Sequence, residues 1–228
     1  MMAFCECKTV KNIVNQYGES VELITTFDIF RSGSDSSALI MRQKIWYQDS
    51  IGVTEICAIR FERTDTTSIT STPTLGYRYI NLRKKLAYEY ANFSDTATLK
   101  KIYRYSDTTT FVGGWNFNKS MNYPVDELQP LVDTVINDII YKRYKFKYRK
   151  IQEGIYWVRC DKKDTFFKLV KSLADKVSCT PVFVGTFPAN TPKNIYSHEL
   201  KFISNYLPDS VQKVFAAWKK NEIKYQIN

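Results

Sequence analysis

The sequence predicts a mainly β protein: an antiparallel, jelly-roll-like β-sandwich with two or three peripheral helices. Three observations carry that reading. Short segments alternating apolar and polar residues at period two recur along the chain, rich in β-branched and aromatic side chains. Helical spacing of apolar residues occurs in only three places. No low-complexity stretch, internal repeat or linker divides the 228 residues, a length that can bury one large core.

In VELITTFDIF (21–30), Val21, Leu23, Phe27 and Ile29 share one face. In EICAIRFER (55–63), Cys57, Ile59 and Phe61 face one way and Ala58, Arg60 and Glu62 the other. GYRYINL (76–82), LKKIYRY (99–105), TTTFVGGW (108–115), GIYWVRC (154–160), TPVFVGTF (180–187) and SHELKFI (197–203) are further predicted strands. Leu128, Leu131, Val132, Val135, Ile136, Ile139 and Ile140 recur at helical spacing, with Pro130 tolerable only in a first turn. Phe166, Leu169, Val170, Leu173, Ala174 and Val177 form a second helical stripe, with Asp164 placed as its N-cap. A third helix follows Pro208-Asp209-Ser210 and carries Val214, Phe215 and Trp218. The stretch YKRYKFKYRK (141–150) reads as an amphipathic strand, with Tyr144, Phe146 and Tyr148 on one face and Lys145, Lys147 and Arg149 on the other.

The chain carries 33 cations and 23 carboxylates, a net charge of +10. No apolar run approaches the roughly 20 residues of a membrane span. The first residues, MMAFCECKTVKNIVNQ, lack the apolar core of a secretory signal, which predicts an intracellular protein. Five scattered cysteines do not form the framework of a small secreted domain. Cys5, Cys7, Cys160 and Cys179 are candidates to cross-link subunits.

No catalytic constellation emerges, so the sequence predicts no enzyme, no cofactor and no metal. His198, the single histidine, reads as a structural residue on a strand. A dyad of it with Cys57, Cys160 or Cys179 has no local support. Cys5-Glu-Cys7 is too small for a zinc site. Gly113-Gly114 reads as close packing beside Trp115, not as a phosphate cradle. Asp161 and Asp164, flanking Lys162-Lys163, read as a helix cap.

Three motifs, in order, resemble the occlusion-body matrix proteins of insect DNA viruses, the polyhedrins and granulins and their nudivirus counterparts. The first is Pro73-Thr74-Leu75-Gly76 with Tyr77-Arg78-Tyr79. The second is Thr98-Leu99-Lys100-Lys101-Ile102-Tyr103-Arg104, then Val112-Gly113-Gly114-Trp115. The third runs over 165–208, from TFFKLV through TPVFVGTF to HELKFISNYLPDS. Together they span about half the chain. Residues 1–72 have no counterpart, the spacings between motifs are shorter than in polyhedrin, and the family's loop before its helix is absent. The resemblance implies a single domain over 1–228: an N-terminal extension (1–72), a polyhedrin-like sandwich (73–208) and a C-terminal helix (209–228). It implies a structural protein whose partners are itself and virions, packed as an alkali-soluble crystal in the nucleus of an infected cell.

Composition supplies a separate expectation. With 23 Lys, 16 Tyr and 5 Cys, ordinary side-chain pKa values would carry the charge from +10 at neutral pH to about −17 near pH ~10.4. Tyr141, Tyr144 and Tyr148, with Lys145, Lys147 and Arg149, are the candidate pH-sensitive assembly contacts. The alternative is a basic viral nucleic-acid-binding protein, in which the same cations grip phosphate and binding falls steeply with salt.

Overall fold

The computed structural model describes residues 17–29, 37–63, 68–106, 109, 111, 114–117, 121–149, 152–162, 165–188 and 196–224. Thirteen strands and two helices are formed among them. The strands are β1 (Tyr17–Ile29), β2 (Ser37–Gln48), β3 (Ile51–Cys57), β4 (Arg60–Arg63), β5 (Ser68–Ser71), β6 (Thr74–Asn81), β7 (Leu86–Tyr90), β8 (Leu99–Arg104), β9 (Gln129–Ile136), β10 (Ile139–Arg149), β11 (Gln152–Arg159), β12 (Thr180–Pro188) and β13 (Tyr196–Tyr206). The helices are α1 (Lys171–Val177) and α2 (Asp209–Lys224). Eleven strands join one open sheet in the order β8-β7-β6-β3-β2-β1-β13-β12-β11-β10-β9, while β4 and β5 pair apart. Every ladder in the large sheet is antiparallel.

Alternation along the strands gives the sheet two faces, each with its own core. On the first face, Val21, Leu23, Ile45, Phe146, Tyr156, Val158, Val184 and Leu200 pack beneath Trp115 and the segment Phe167, Leu169, Val170 and Leu173. On the second, Trp46, Val53, Tyr79, Tyr88 and Tyr90 are covered by Val211, Val214, Phe215 and Trp218 of α2. Ile45 and Trp46, adjacent in β2, enter opposite cores. Two glycines permit close packing. Phe146 lies across Gly154 of the neighbouring strand, where any Cβ would overlap its ring. A Cβ at Gly114 would press on the Arg78 guanidinium and the Thr54 methyl group; Gly113 is outside the described residues.

The mainly β, antiparallel expectation holds, and the third predicted helix is α2. Other expectations need correction. The eleven-stranded sheet is open, and its sequential runs meet at two non-sequential pairs, β6–β3 and β1–β13. Residues 128–140 are not a helix. They form the β9–β10 hairpin, because Asn137 and Asp138 both take left-handed backbone (φ 49° and 61°), the conformation of a two-residue type I′ turn. Val132, Thr134, Val135, Ile136, Ile139 and Ile140 are β-branched and suit such strands. Apolar residues on both faces of the hairpin imitate helical spacing.

The second helix begins only at Lys171, with Val170 at its N-cap and no side-chain cap. Asp164 lies outside the described residues. The Glu19 carboxylate takes the backbone N–H groups of Phe166 (3.0 and 2.9 Å) and Phe167 (3.4 Å), which holds that segment out of helix. EICAIRFER is divided between β3 and β4. The described residues of TTTFVGGW are not strand.

β1, β2 and β3, drawn from the first 57 residues, lie in the interior of the sheet. Cys160 and Cys179 are bonded to each other within the chain (S–S 2.03 Å), so neither can cross-link subunits. Cys5 and Cys7 are outside the described residues.

Trp218 is fully buried, its ring stacked on Tyr90 at 4.0 Å and its indole N–H donating to the Ser94 carbonyl at 3.0 Å. Trp218→Ala is expected to lower unfolding free energy by about 3–5 kcal/mol, read from the midpoint of urea denaturation.

Candidate alkali-sensitive tyrosine network

β6 and β7 bring tyrosines face to face: Tyr79 is paired with Tyr88 and Tyr77 with Tyr90. Tyr79, Tyr88 and Tyr90 are fully buried beneath α2. The helix contributes Glu222, only 4% exposed. One of its oxygens accepts from the Tyr79 hydroxyl at 2.6 Å. Asn81 donates to both oxygens at 3.0 Å and Lys84 to one at 3.0 Å. Burial opposes charge on Glu222, but the donors Tyr79, Asn81 and Lys84 outweigh it and hold the carboxyl below its usual pKa. On Tyr79, burial first, then the hydrogen bond and the negative charge of Glu222, push the phenol far above 10.

A second pair repeats the arrangement at the neighbouring edge. The Tyr103 hydroxyl donates to Glu89 at 2.9 Å, and Arg78 grips the same carboxylate oxygen at 3.1 and 2.9 Å. Burial is the main cause raising Tyr103 to about 12; the Glu89 carboxylate adds to it and Arg78 works against it. Lys101 sits 5.0 Å over the Tyr103 ring. Burial, then the nearby Glu55 and Cys57, raise Tyr77.

The first face holds a third group. Tyr156 stacks on Phe146 at 4.2 Å and donates to the Pro124 carbonyl at 2.8 Å. Tyr123 lies 5.3 Å from Tyr148 and 6.0 Å from Phe146. Burial raises both Tyr156 and Tyr123 well above 10, each reinforced by neighbouring phenols. Burial also raises Tyr47, Tyr88 and Tyr196. Eight of the 16 tyrosines are therefore raised.

A phenol whose pKa is raised by folding stabilises fully below its unfolded value near 10, and that stability is lost as pH rises through the folded value. Each such phenol forfeits about 1.4 kcal/mol per pH unit in that window. Counting Tyr79 and Tyr156 in full, and half-buried Tyr103 and Tyr123 at about half for solvent screening, the fold loses about 4 kcal/mol by pH ~11. Ordinary domains have only about 5–15 kcal/mol in total. Part of the charge swing expected from composition is thus withheld from the folded chain: the eight raised phenols hold their protons above pH ~10, and Cys160 and Cys179 do not titrate.

The residues expected from sequence are divided. Tyr144, Phe146 and Tyr148 join the first core. Tyr141 lies on the opposite face, 5.9 Å from Trp157. Lys145 pairs with Glu153 at 2.7 Å, Lys147 with Glu127 at 3.8 Å, and Arg149 lies 5.0 Å over the Tyr148 ring. His198 is buried on β13, its Nδ1 2.9 Å from the Thr25 hydroxyl, and burial lowers it to about 4, leaving it neutral. Asp161 caps no helix; it holds the Arg159 guanidinium through two contacts, at 3.0 and 2.5 Å. The pairing of Tyr79 with Glu222 escaped sequence reasoning. One signal was present: Glu222 continues the stripe Val211, Phe215, Trp218 of α2, which puts a carboxylate on a buried face. No protein-family model matches the chain, and no curated protein matches it.

Tyr103→Phe should destabilise the chain at pH 7 by about 1.5–3 kcal/mol, the value of a hydrogen bond to a charged group. The deficit should shrink as pH rises from about 10 to about 12, since only the wild type has a proton to lose there. Denaturation midpoints of both chains across that range check the convergence.

Proposed function

We propose that this chain is the matrix protein of a viral occlusion body. It self-assembles in the infected cell, with the nucleus as the expected site, into a crystal that embeds virions. The crystal holds at neutral pH and dissolves in alkali. The observation carrying this reading is the pair of phenols donated to carboxylates, buried Tyr79 to Glu222 and half-buried Tyr103 to Glu89. Ionising either phenol sets two anions against each other in a site of low polarity. A chain built so is stable when neutral and labile when alkaline, the behaviour a dissolving matrix needs. In this proposal dissolution follows from loosening of the subunit, with lattice contacts failing as their surfaces lose shape and gain negative charge.

The three ordered motifs that resemble polyhedrin support the same reading. So does the mainly β body, in which β2 and β10 contribute to one core although five steps apart in the sheet. The proposal includes a two-layer, jelly-roll-like sandwich as the form of that body. The nucleic-acid alternative draws less support. Lys145 and Lys147 have carboxylate partners, Arg143 donates to the Val132 carbonyl at 2.8 Å, and Phe146 and Tyr148 lie on the face away from these cations. Tyr141 and Trp157 share the face of these cations, so a stacking groove is disfavoured there by the cations' existing partners and not by the lack of rings.

Expressed in insect cells, the chain should form dense particles that persist at neutral pH. Light scattering from those particles should fall sharply between about pH 10 and 11, the window of phenol ionisation. A soluble chain at neutral pH, or aggregates indifferent to alkali, would refute the assignment.

A further inference from the structure

The large sheet ends in two open edges, and the edges differ in charge. β8 exposes Lys100, Lys101 and Arg104. β9 exposes Asp133 and is flanked by exposed Asp126, Glu127 and Asp138. The β9 side also leaves branched aliphatic side chains in water: Val132 is 82% exposed, Val135 63%, Ile136 40% and Ile140 59%. Exposed apolar residues gathered on one hairpin beside an unpaired strand mark an interaction surface. Among the described residues no strand pairs with the outer side of either edge.

We infer that β8 of one copy joins β9 of the next, extending the sheet from subunit to subunit. The inference rests on the matrix reading and names the contact that would build it. Opposite charge selects this pairing over its rivals. Two β9 edges would set Asp133 and Glu127 against their own kind, and two β8 edges would do the same with Lys100 and Lys101. The joining is heterologous, so it does not stop at a pair. Because the eleven strands alternate in direction, β8 and β9 run the same way. Antiparallel joining then requires each copy to be turned over by half a turn about the line of growth, which propagates as a screw. Pro130 has no N–H, and the β9–β10 register is irregular between Tyr141 and Arg143. Both shorten the backbone ladder that a neighbour can use. Charge and apolar contact therefore carry most of the joint.

Charge reversal in two separate chains tests the pairing. One chain carries Glu127→Lys and Asp133→Lys and has two basic edges; the other carries Lys100→Glu and Lys101→Glu and has two acidic edges. All four positions are exposed, and far-ultraviolet circular dichroism confirms that each chain folds. At neutral pH each chain alone should scatter less than the wild type by more than about tenfold, while an equimolar mixture should recover to within about twofold, because alternating copies restore opposite charge at every joint. Reversed chains that assemble alone as the wild type does would overturn the inference, and so would a mixture that stays dispersed. If wild-type particles still form and clear in alkali in either case, the matrix reading stands without this joint. If complementation succeeds but the assemblies persist in alkali, the joint stands and the matrix reading falls. A wild-type chain that stays monomeric overturns both.

Discussion

The Glu222 carboxylate, buried under α2, is the constraint on which the second face of the sheet depends. It takes the Tyr79 hydroxyl, the Asn81 amide and the Lys84 ammonium, and so fastens the C-terminal helix to β6 and to the turn after it. Without that helix, Trp46, Val53, Tyr88 and Tyr90 would lie open to water. A buried anion whose partners are removed is destabilising by about 3–5 kcal/mol. Tyr79 can satisfy Glu222 only while its phenol keeps a proton. The covering of that core is thereby tied to the protonation of one hydroxyl.

The first face is secured by different means. Glu19 holds the backbone of Phe166 and Phe167 over β1, and this segment delivers Phe167, Leu169 and Val170 to the core. The bond between Cys160 and Cys179 ties the end of β11 to the start of β12, closing a loop of a size that stabilises by roughly 3 kcal/mol in the chain-entropy account. Tyr156 holds the segment at Pro124 across the same face through that residue's carbonyl. Acid and alkali therefore meet different groups. Glu222 and Glu89, held below their ordinary pKa, favour the fold above about pH 4.5 and lose that contribution as pH falls. The raised phenols favour it below about pH 10. Between these limits Glu222, Glu89 and the raised phenols agree.

Much of this was legible in the sequence, and what escaped did so for physical reasons. α2 was plain because Pro208-Asp209-Ser210 starts it and Val214, Phe215 and Trp218 mark its inner face. Strands with one polar face, such as β10, β11 and β13, showed their alternation. β2 and β7 did not: both sides of Ile45-Trp46, and of Leu86-Ala87-Tyr88, are buried, so no period-two contrast exists. The β9–β10 hairpin was hidden by apolar residues on both its faces, and only Asn137-Asp138 could have given it away. Tyr79 and Glu222 are 143 residues apart, a pairing that no local pattern can announce. The abundance of tyrosine raised the question of alkali. In the proposed reading the alkali-sensitive phenols lie in the interior, outside the basic stretch 141–150.

Assembly and disassembly then draw on separate parts of the molecule. In the proposed reading, edges and exposed hairpin residues join copies, while phenols sealed inside each copy decide whether there is a folded copy to join. The central claim is that buried phenols and the fold are lost together. The most direct measurement is an alkaline titration of the intact chain that follows tyrosinate absorbance and far-ultraviolet circular dichroism on the same sample. The account predicts that the absorbance step of the buried phenols is steep, lies above about pH 10 and coincides with loss of the β signal. Gradual ionisation of those phenols with the β signal intact would contradict it.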